Sequence, residues 1–161
     1  MRSRPALGHH PIHPMLIALP IGLFLWTLAA DVFYLASDQA ALWYHVSFWT
    51  SIAGILSALI AALPGLMDYA GLKSDPMARH VATWHMVINV MVVTLFVVAA
   101  CLMARNAALT GVRLGCVVGL HVIGCGLLSL SGWLGGELVY RHRVAVLEHE
   151  EEYASAGGRE S

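Results

Sequence analysis

Four long apolar segments constrain this chain more than any other feature of its sequence. They cover residues 14–36, 42–67, 81–104 and 111–134. Each is close to the roughly 20 residues that an α-helix needs to cross the hydrocarbon core of a bilayer. A helix satisfies its own backbone hydrogen bonds, which lipid cannot do for it. The sequence therefore predicts an all-α integral membrane protein, an antiparallel bundle of four transmembrane helices.

The composition agrees with a lipid-facing surface. Only 12% of the 161 residues are charged, 58% are hydrophobic, and the mean hydropathy is +0.71. A soluble domain carries roughly 25% charged residues. The net charge of -1 and the absence of a basic face give no reason to expect a nucleic-acid partner. We expect one transmembrane domain over residues 1–147 and a polar, disordered cytoplasmic tail over residues 148–161.

Lysine and arginine are distributed unevenly between the two sides of the predicted bundle. Two of them fall on one side, Arg105 and Arg113. The other side carries seven: Arg2, Arg4, Lys73, Arg79, Arg141, Arg143 and Arg159. Because cytoplasmic loops are enriched in these residues, the bias predicts that both termini are cytoplasmic.

Nine histidines are present, and several lie inside or beside the apolar segments. Ionisable groups are costly in a bilayer, so they usually face the bundle interior and mark a functional site. A smaller set falls in the outer half: Asp31, His45 and His121. A larger set gathers at the cytoplasmic ends of the four helices: His10, His13, Asp68, His80, His85, Asn89, Glu137 and His142.

Two pairs of histidines suit a b-type haem, which takes one or two neutral imidazoles as axial ligands. We expect helices one and three to be diagonal in the bundle, and likewise helices two and four. His13 would then face His85 in the inner leaflet, and His45 would face His121 in the outer leaflet. The outer pair is offset by about 10 Å along the helices. A single inner haem is therefore favoured over two.

Two other interpretations stay open. The chain could be a non-haem metal-binding or transport protein, in which a divalent metal ion is bound by nitrogen and oxygen ligands from His10, His13, Asp68, His85 and Glu137. Alternatively, the chain could be an accessory subunit in which His85 and Asn89, spaced i, i+4, form only a hydrogen-bond network. Asn89 and His142 would support either kind of site. No serine or cysteine lies in an activated setting, and the sequence does not decide whether the protein is an enzyme.

Helix four carries a stripe of small residues, Gly111, Gly115 and Gly119. Glycines repeated every four residues let two helices approach closely. The stripe predicts a tight contact within the bundle or a homodimer. His121 lies about 200° around the helix from Gly119 and should face away from the stripe.

Four motifs lie at or near the cytoplasmic ends of the predicted helices. They are His10-Pro11-Ile12-His13-Pro14-Met15-Leu16, Pro64-Gly65-Leu66-Met67-Asp68-Tyr69, His85-Met86-Val87-Ile88-Asn89 and Ser131-Gly132-Trp133-Leu134-Gly135-Gly136-Glu137-Leu138-Val139-Tyr140-Arg141-His142. These motifs resemble those of a bacterial membrane family, the domain of unknown function 2231 (DUF2231). The resemblance runs from Gly8 to about Val146, although Arg143-Val144-Ala145-Val146 departs mildly from the family pattern. His45 and His121 are not part of this signature.

The resemblance implies a four-helix domain in the bacterial inner membrane. Some relatives look fused to Rieske iron–sulfur domains, which implies membrane electron transfer by association. An iron–sulfur protein or a quinone is accordingly expected as the redox partner. The signature residues all lie in the cytoplasmic layer that the sorting by depth selects.

Overall fold

The structure is a computed structural model that describes residues 6–7, 10–72, 75–104 and 109–144. For residues 6, 7, 10 and 11 it describes the backbone alone. The tail predicted at residues 148–161 lies outside this range.

Helices account for nearly all of the described chain. A two-residue strand β1 (Ala6–Leu7) pairs antiparallel with β2 (His10–Pro11) just before the first helix. The helices that follow are α1 (Ile12–Leu16), α2 (Ala18–Ala36), α3 (Ala40–Gly71), α4 (Pro76–Met103) and α5 (Gly111–Tyr140). α1 and α2 together form one span, so four spans are long and apolar enough to cross a membrane. The predicted all-α membrane bundle is confirmed.

Several helices extend beyond the apolar segments that predicted them. α4 begins at Pro76 rather than near residue 81, because Asp75 caps it. The Asp75 carboxylate accepts hydrogen bonds from the backbone N–H groups of Met77 at 3.1 Å and Ala78 at 2.9 Å. Proline at the first helical position needs no N–H partner, which favours the same start. α3 and α5 also continue past their apolar segments, to Gly71 and Tyr140.

The bundle consists of two helical hairpins. α2 packs mainly on α3 and α4 mainly on α5, while the hairpins meet along α3–α4 and α2–α5. α2 and α4 are therefore diagonal, as are α3 and α5, which is the arrangement expected from the sequence. At the centre the rings of Phe24 and Phe96 lie 4.0 Å apart between centroids.

The two hairpins repeat the same contacts. Phe24 of α2 packs on Gly54 of α3, and Phe96 of α4 packs on Gly124 of α5. Phe96 follows its counterpart Phe24 by 72 positions in the sequence, and Gly124 follows its counterpart Gly54 by 70 positions. The diagonal helices α2 and α4 also run in the same direction. The hairpins are thus related by an approximate twofold axis along the bundle.

Substitution of the central glycines tests this packing. A Cβ at Gly54 or Gly124 would lie 2.7 Å from a phenylalanine ring, whereas a Cβ at the exposed Gly126 would meet nothing within 4 Å. Alanine gains up to about 1 kcal/mol in helix propensity, but overpacking costs about 1–3 kcal/mol. We expect Gly54→Ala and Gly124→Ala to melt at lower temperature in detergent than Gly126→Ala. Equal melting temperatures would contradict the close contact.

Candidate functional site

His13 is held at the start of the first span by a contact with α3. Its Nδ1 lies 2.9 Å from the backbone oxygen of Ala61. A carbonyl oxygen only accepts, so Nδ1 carries the proton and donates it. The ring also packs on Gly65, where a Cβ would come within 2.8 Å of Cε1. In the neutral imidazole this leaves the Nε2 lone pair available.

His85 repeats this arrangement in the second hairpin. Its Nδ1 lies 2.9 Å from the backbone oxygen of Ser131, and its Cε1 would be 3.2 Å from a Cβ at Gly135. His85, Ser131 and Gly135 follow their counterparts in the first hairpin by 72, 70 and 70 positions. The two imidazoles therefore occupy equivalent places at one end of the bundle, which we call the histidine end.

Among the described residues, Asn89 is the side chain that lies within hydrogen-bond distance of His85 Nε2. Its Nδ2 lies 2.7 Å from Ser131 Oγ, 2.9 Å from the His85 carbonyl oxygen and 3.1 Å from His85 Nε2. An amide nitrogen has only two hydrogens for these three acceptors. Because the contact with Nε2 is the longest, a ligand could take that nitrogen and leave both N–H groups of Asn89 satisfied.

This pair of histidines has the chemistry of metal ligands. A histidine that binds a metal through one ring nitrogen commonly donates its other N–H to a backbone carbonyl or a carboxylate. That second bond fixes both the tautomer and the orientation of the ring. At the histidine end, two such imidazoles come from two different helices, α1 and α4.

Glu137, one of the two carboxylates predicted for a metal site, forms an ion pair of its own. It pairs with the exposed Arg141 at 2.9 Å, and Asp68 is half-buried near the end of α3. His142 lies 3.8 Å from Asp75. Within the described part of the chain, no three His, Cys, Asp or Glu side chains converge closely enough to hold a metal ion. The side chain of His10 lies outside that part.

The outer pair of histidines is not assembled. His45 is exposed on the surface of α3, where it packs edge-on against Tyr44. His121 is fully buried in α5, with Nδ1 2.6 Å from the Asp31 carboxylate. The expectation that His45 and His121 face each other is therefore not met, because the phase of α3 directs His45 outward.

The glycine stripe of α5 lies on the outside of the bundle. A Cβ added at Gly111, Gly115 or Gly119 would meet nothing within 4 Å. No described helix of this chain thus packs into the stripe, and a homodimer contact stays a prediction. His121 lies on the opposite, buried face of α5, as its angular distance from Gly119 predicts.

The sequence did not show what holds the two histidines. The imidazole rings contact two backbone oxygens and two glycines. A backbone oxygen is present in every residue, so the sequence cannot indicate which one accepts the hydrogen bond. Gly65 and Gly135 do stand in the motifs Pro64-Gly65 and Gly135-Gly136 at the ends of α3 and α5. A glycine near the end of a transmembrane helix could have indicated a close contact at this level of the bundle. Only the fold shows which side chain packs against each glycine.

The tautomers of His13 and His85 can be measured directly. We expect both neutral rings to carry the proton on Nδ1, because each Nδ1 faces a carbonyl oxygen. Nitrogen-15 NMR of histidine-labelled protein distinguishes the two tautomers, with signals assigned from His13→Gln and His85→Gln. The exposed His45 serves as a reference that no carbonyl constrains. Protonation of Nε2 in both rings would contradict the assigned hydrogen bonds.

Comparison with known families covers almost the entire bundle. Residues 9–148 match the model of the family described as predicted membrane protein (DUF2231). A search of curated proteins and a search of solved structures each found no match. The matched range contains all four spans and the histidines of the candidate site. The chain therefore belongs to the DUF2231 family of membrane proteins.

Proposed function

We propose that this membrane protein binds haem b through His13 and His85 and takes part in electron transfer. One observation carries the proposal: two equivalent imidazoles each donate Nδ1–H to a backbone oxygen at 2.9 Å, which leaves Nε2 for a ligand. A b-type haem can be held by neutral imidazoles. His13 and His85, which come from diagonal helices related by a twofold axis, would be the residues that hold it.

The surroundings of the two rings fit such a group. Gly65 and Gly135 put no side chain against the imidazoles. Asn89 can withdraw from His85 Nε2 without losing its other two hydrogen bonds. The carbonyl oxygens of Ala61 and Ser131 fix the tautomer and the orientation of the two rings. Haem would supply one-electron chemistry, and the chain would supply its ligands and their hydrogen bonds.

The distribution of basic residues supports a cytoplasmic location for this site in the bacterial inner membrane. Arg79, Arg141 and Arg143 all lie at or beyond the histidine end of the bundle. The positive-inside rule puts that end, with both termini, in the cytoplasm. An iron–sulfur protein or a quinone would then exchange electrons with the haem, and the exposed glycine stripe of α5 would serve a homodimer.

A second candidate function is that of an accessory structural subunit. The observation in its favour is that His85, Asn89 and Ser131 already satisfy one another through hydrogen bonds between α4 and α5. Such interhelical networks stabilise membrane bundles without any ligand. A non-haem metal site has weaker support, since two histidines are all that the described residues bring together.

A redox difference spectrum separates these functions. We expect protein purified in detergent from haem-replete cells to show a sharp Soret band and α band after dithionite reduction, at about one haem per chain. His13→Ala and His85→Ala should each remove these bands because each deletes an axial ligand. His45→Ala, which alters an exposed histidine, should retain them. A flat spectrum would refute haem binding, and elemental analysis would then distinguish a metal site from a structural subunit.

The glycine beneath His13 provides a finer test of the same site. Gly65→Ala should lower the haem content, because the added methyl would come within 2.8 Å of Cε1 of His13 and displace the imidazole ring from its position. Gly132→Ala is the matched control, since a Cβ at that glycine meets nothing within 4 Å. Equal haem content in the two variants would mean that the His13 ring does not occupy this position in the loaded protein.

A further inference from the structure

A second polar cluster lies in the half of the bundle away from the histidine end. It consists of Asp31 on α2, Ser47 on α3 and His121 on α5, which are 4%, 1% and 0% exposed. Asp31 accepts a hydrogen bond from Ser47 Oγ at 2.6 Å, and its other oxygen lies 2.6 Å from Nδ1 of His121. The His121 ring stacks on Phe96 of α4, with 4.8 Å between centroids. We call this group the Asp31–His121 cluster.

The positions equivalent to the cluster carry no ionisable group. The twofold axis relates Asp31 to Met103, Ser47 to Val117 and His121 to Ser51, by the same steps of 72 and 70 positions. Met103 and Val117 are fully buried in one hydrophobic cluster with Ala99 and Leu109. The fold therefore accepts apolar side chains at the positions equivalent to Asp31 and Ser47. Because buried ionisable groups are costly in a membrane, their presence on one side alone indicates a function.

The charge of the cluster depends on a single proton. With Asp31 ionised and His121 neutral, the cluster carries one negative charge in a low-dielectric interior. Phe96 of α4 stacks on the His121 ring, and Ser51 and Cys125 follow Ser47 and His121 by one helical turn. None of these three residues is a cation. Arg113 of α5 lies about 12 Å from His121 along the helix axis. One added proton makes the cluster neutral, and a neutral cluster costs much less to bury.

Two buried polar atoms beside this cluster lack partners. Nε2 of His121 and Oγ of Ser51 are both buried, and neither has a hydrogen-bond partner among the described residues. Ser51 follows Ser47 by one turn of α3, on the same face. In either neutral form of the cluster Nε2 carries a hydrogen, because Nδ1 is engaged with Asp31. Unpaired buried donors of this kind are usually satisfied by an internal water.

We propose that Asp31 and His121 form a buried proton-binding site whose proton enters and leaves through an internal water on Nε2 of His121. On release, the N–H bond at Nε2 breaks and the proton passes to the water. Asp31 then remains ionised, stabilised by the N–H of Nδ1 and by the hydroxyl of Ser47. The site lies at the end of the bundle opposite to the proposed haem and does not depend on haem being bound.

Solid-state NMR of the full chain in lipid bilayers tests the proposal. With labelled histidine, His121 should carry protons on both ring nitrogens or on Nε2 at the acidic end of a pH series. At the alkaline end Nε2 should lose its proton while Nδ1 keeps one. Magnetisation should also pass from water to the His121 ring. A protonation state of Nε2 that stays constant wherever the protein is folded would overturn the proposal, as would a ring without water contact.

Two variants separate proton binding from simple packing. Asp31→Asn keeps an acceptor for Nδ1 but removes the negative charge, so Nε2 of His121 should stay unprotonated throughout the pH series. Asp38→Asn is the control, because Asp38 is exposed and outside the cluster, and it should leave the titration unchanged. Retention of the titration in Asp31→Asn would refute the role of Asp31.

A triple variant tests whether the fold needs the cluster. Asp31→Met, Ser47→Val and His121→Ser together install the residues found at the equivalent positions Met103, Val117 and Ser51. We expect this variant to remain folded in detergent and to lose the pH-dependent carboxylate band in infrared difference spectra. Failure of the triple variant to fold would assign the cluster a structural role instead.

Discussion

Lipid offers no hydrogen-bond partner, and this constraint determines which polar contacts the bundle contains. Every buried hydroxyl or imidazole must find a partner on a helix of the same chain or on an internal water. Thr27 and Thr50 bond to each other and to carbonyls within their own helices, and Tyr34 reaches the backbone of Leu109. Among the described residues, the buried Nε2 of His121 and Oγ of the adjacent Ser51 have no such partner. At the histidine end, the Nδ1–H groups of His13 and His85 are satisfied by carbonyl oxygens, and the Nε2 atoms are the ones that a ligand could take.

The repeated hairpin explains why polar groups collect at two levels. At the histidine end the repeat is kept: His13 and His85 bond to equivalent carbonyls and pack on equivalent glycines. At the opposite end it is broken, since Asp31 corresponds to Met103 and Ser47 to Val117. Between these levels the rings of Phe24 and Phe96 meet near the axis. A ligand with two similar faces suits the symmetric level, whereas a proton needs only one acceptor and suits the asymmetric one.

Apolar length and composition were enough to predict the four spans, because lipid selects for them along the whole chain. The sequence also placed His13 and His85 at one end, since depth follows from position in a span. It could not place His45, because apolar residues lie on both the buried and the exposed sides of α3, and packing of Gly54 on Phe24 sets which side faces inward. The repeat was hidden for a similar reason. Packing at equivalent positions constrains the volume of the side chain, as where a ring lies against a glycine, rather than the residue type. Different residues such as Ile55 and Cys125 can therefore occupy equivalent positions in the core.

The cost of burial gives the Asp31–His121 cluster its physical meaning. An ion pair taken out of water rarely stabilises a fold, since desolvation offsets the attraction between its charges. Met103 and Ser51 stand at the equivalent positions, so packing alone does not account for a carboxylate and an imidazole 2.6 Å apart. What the pair would provide, and Met103 with Ser51 cannot, is a change of charge by one proton within the membrane. If the proposed haem transfers electrons at the other end of the bundle, a buried group of this kind would let the charge of the interior adjust to the redox state.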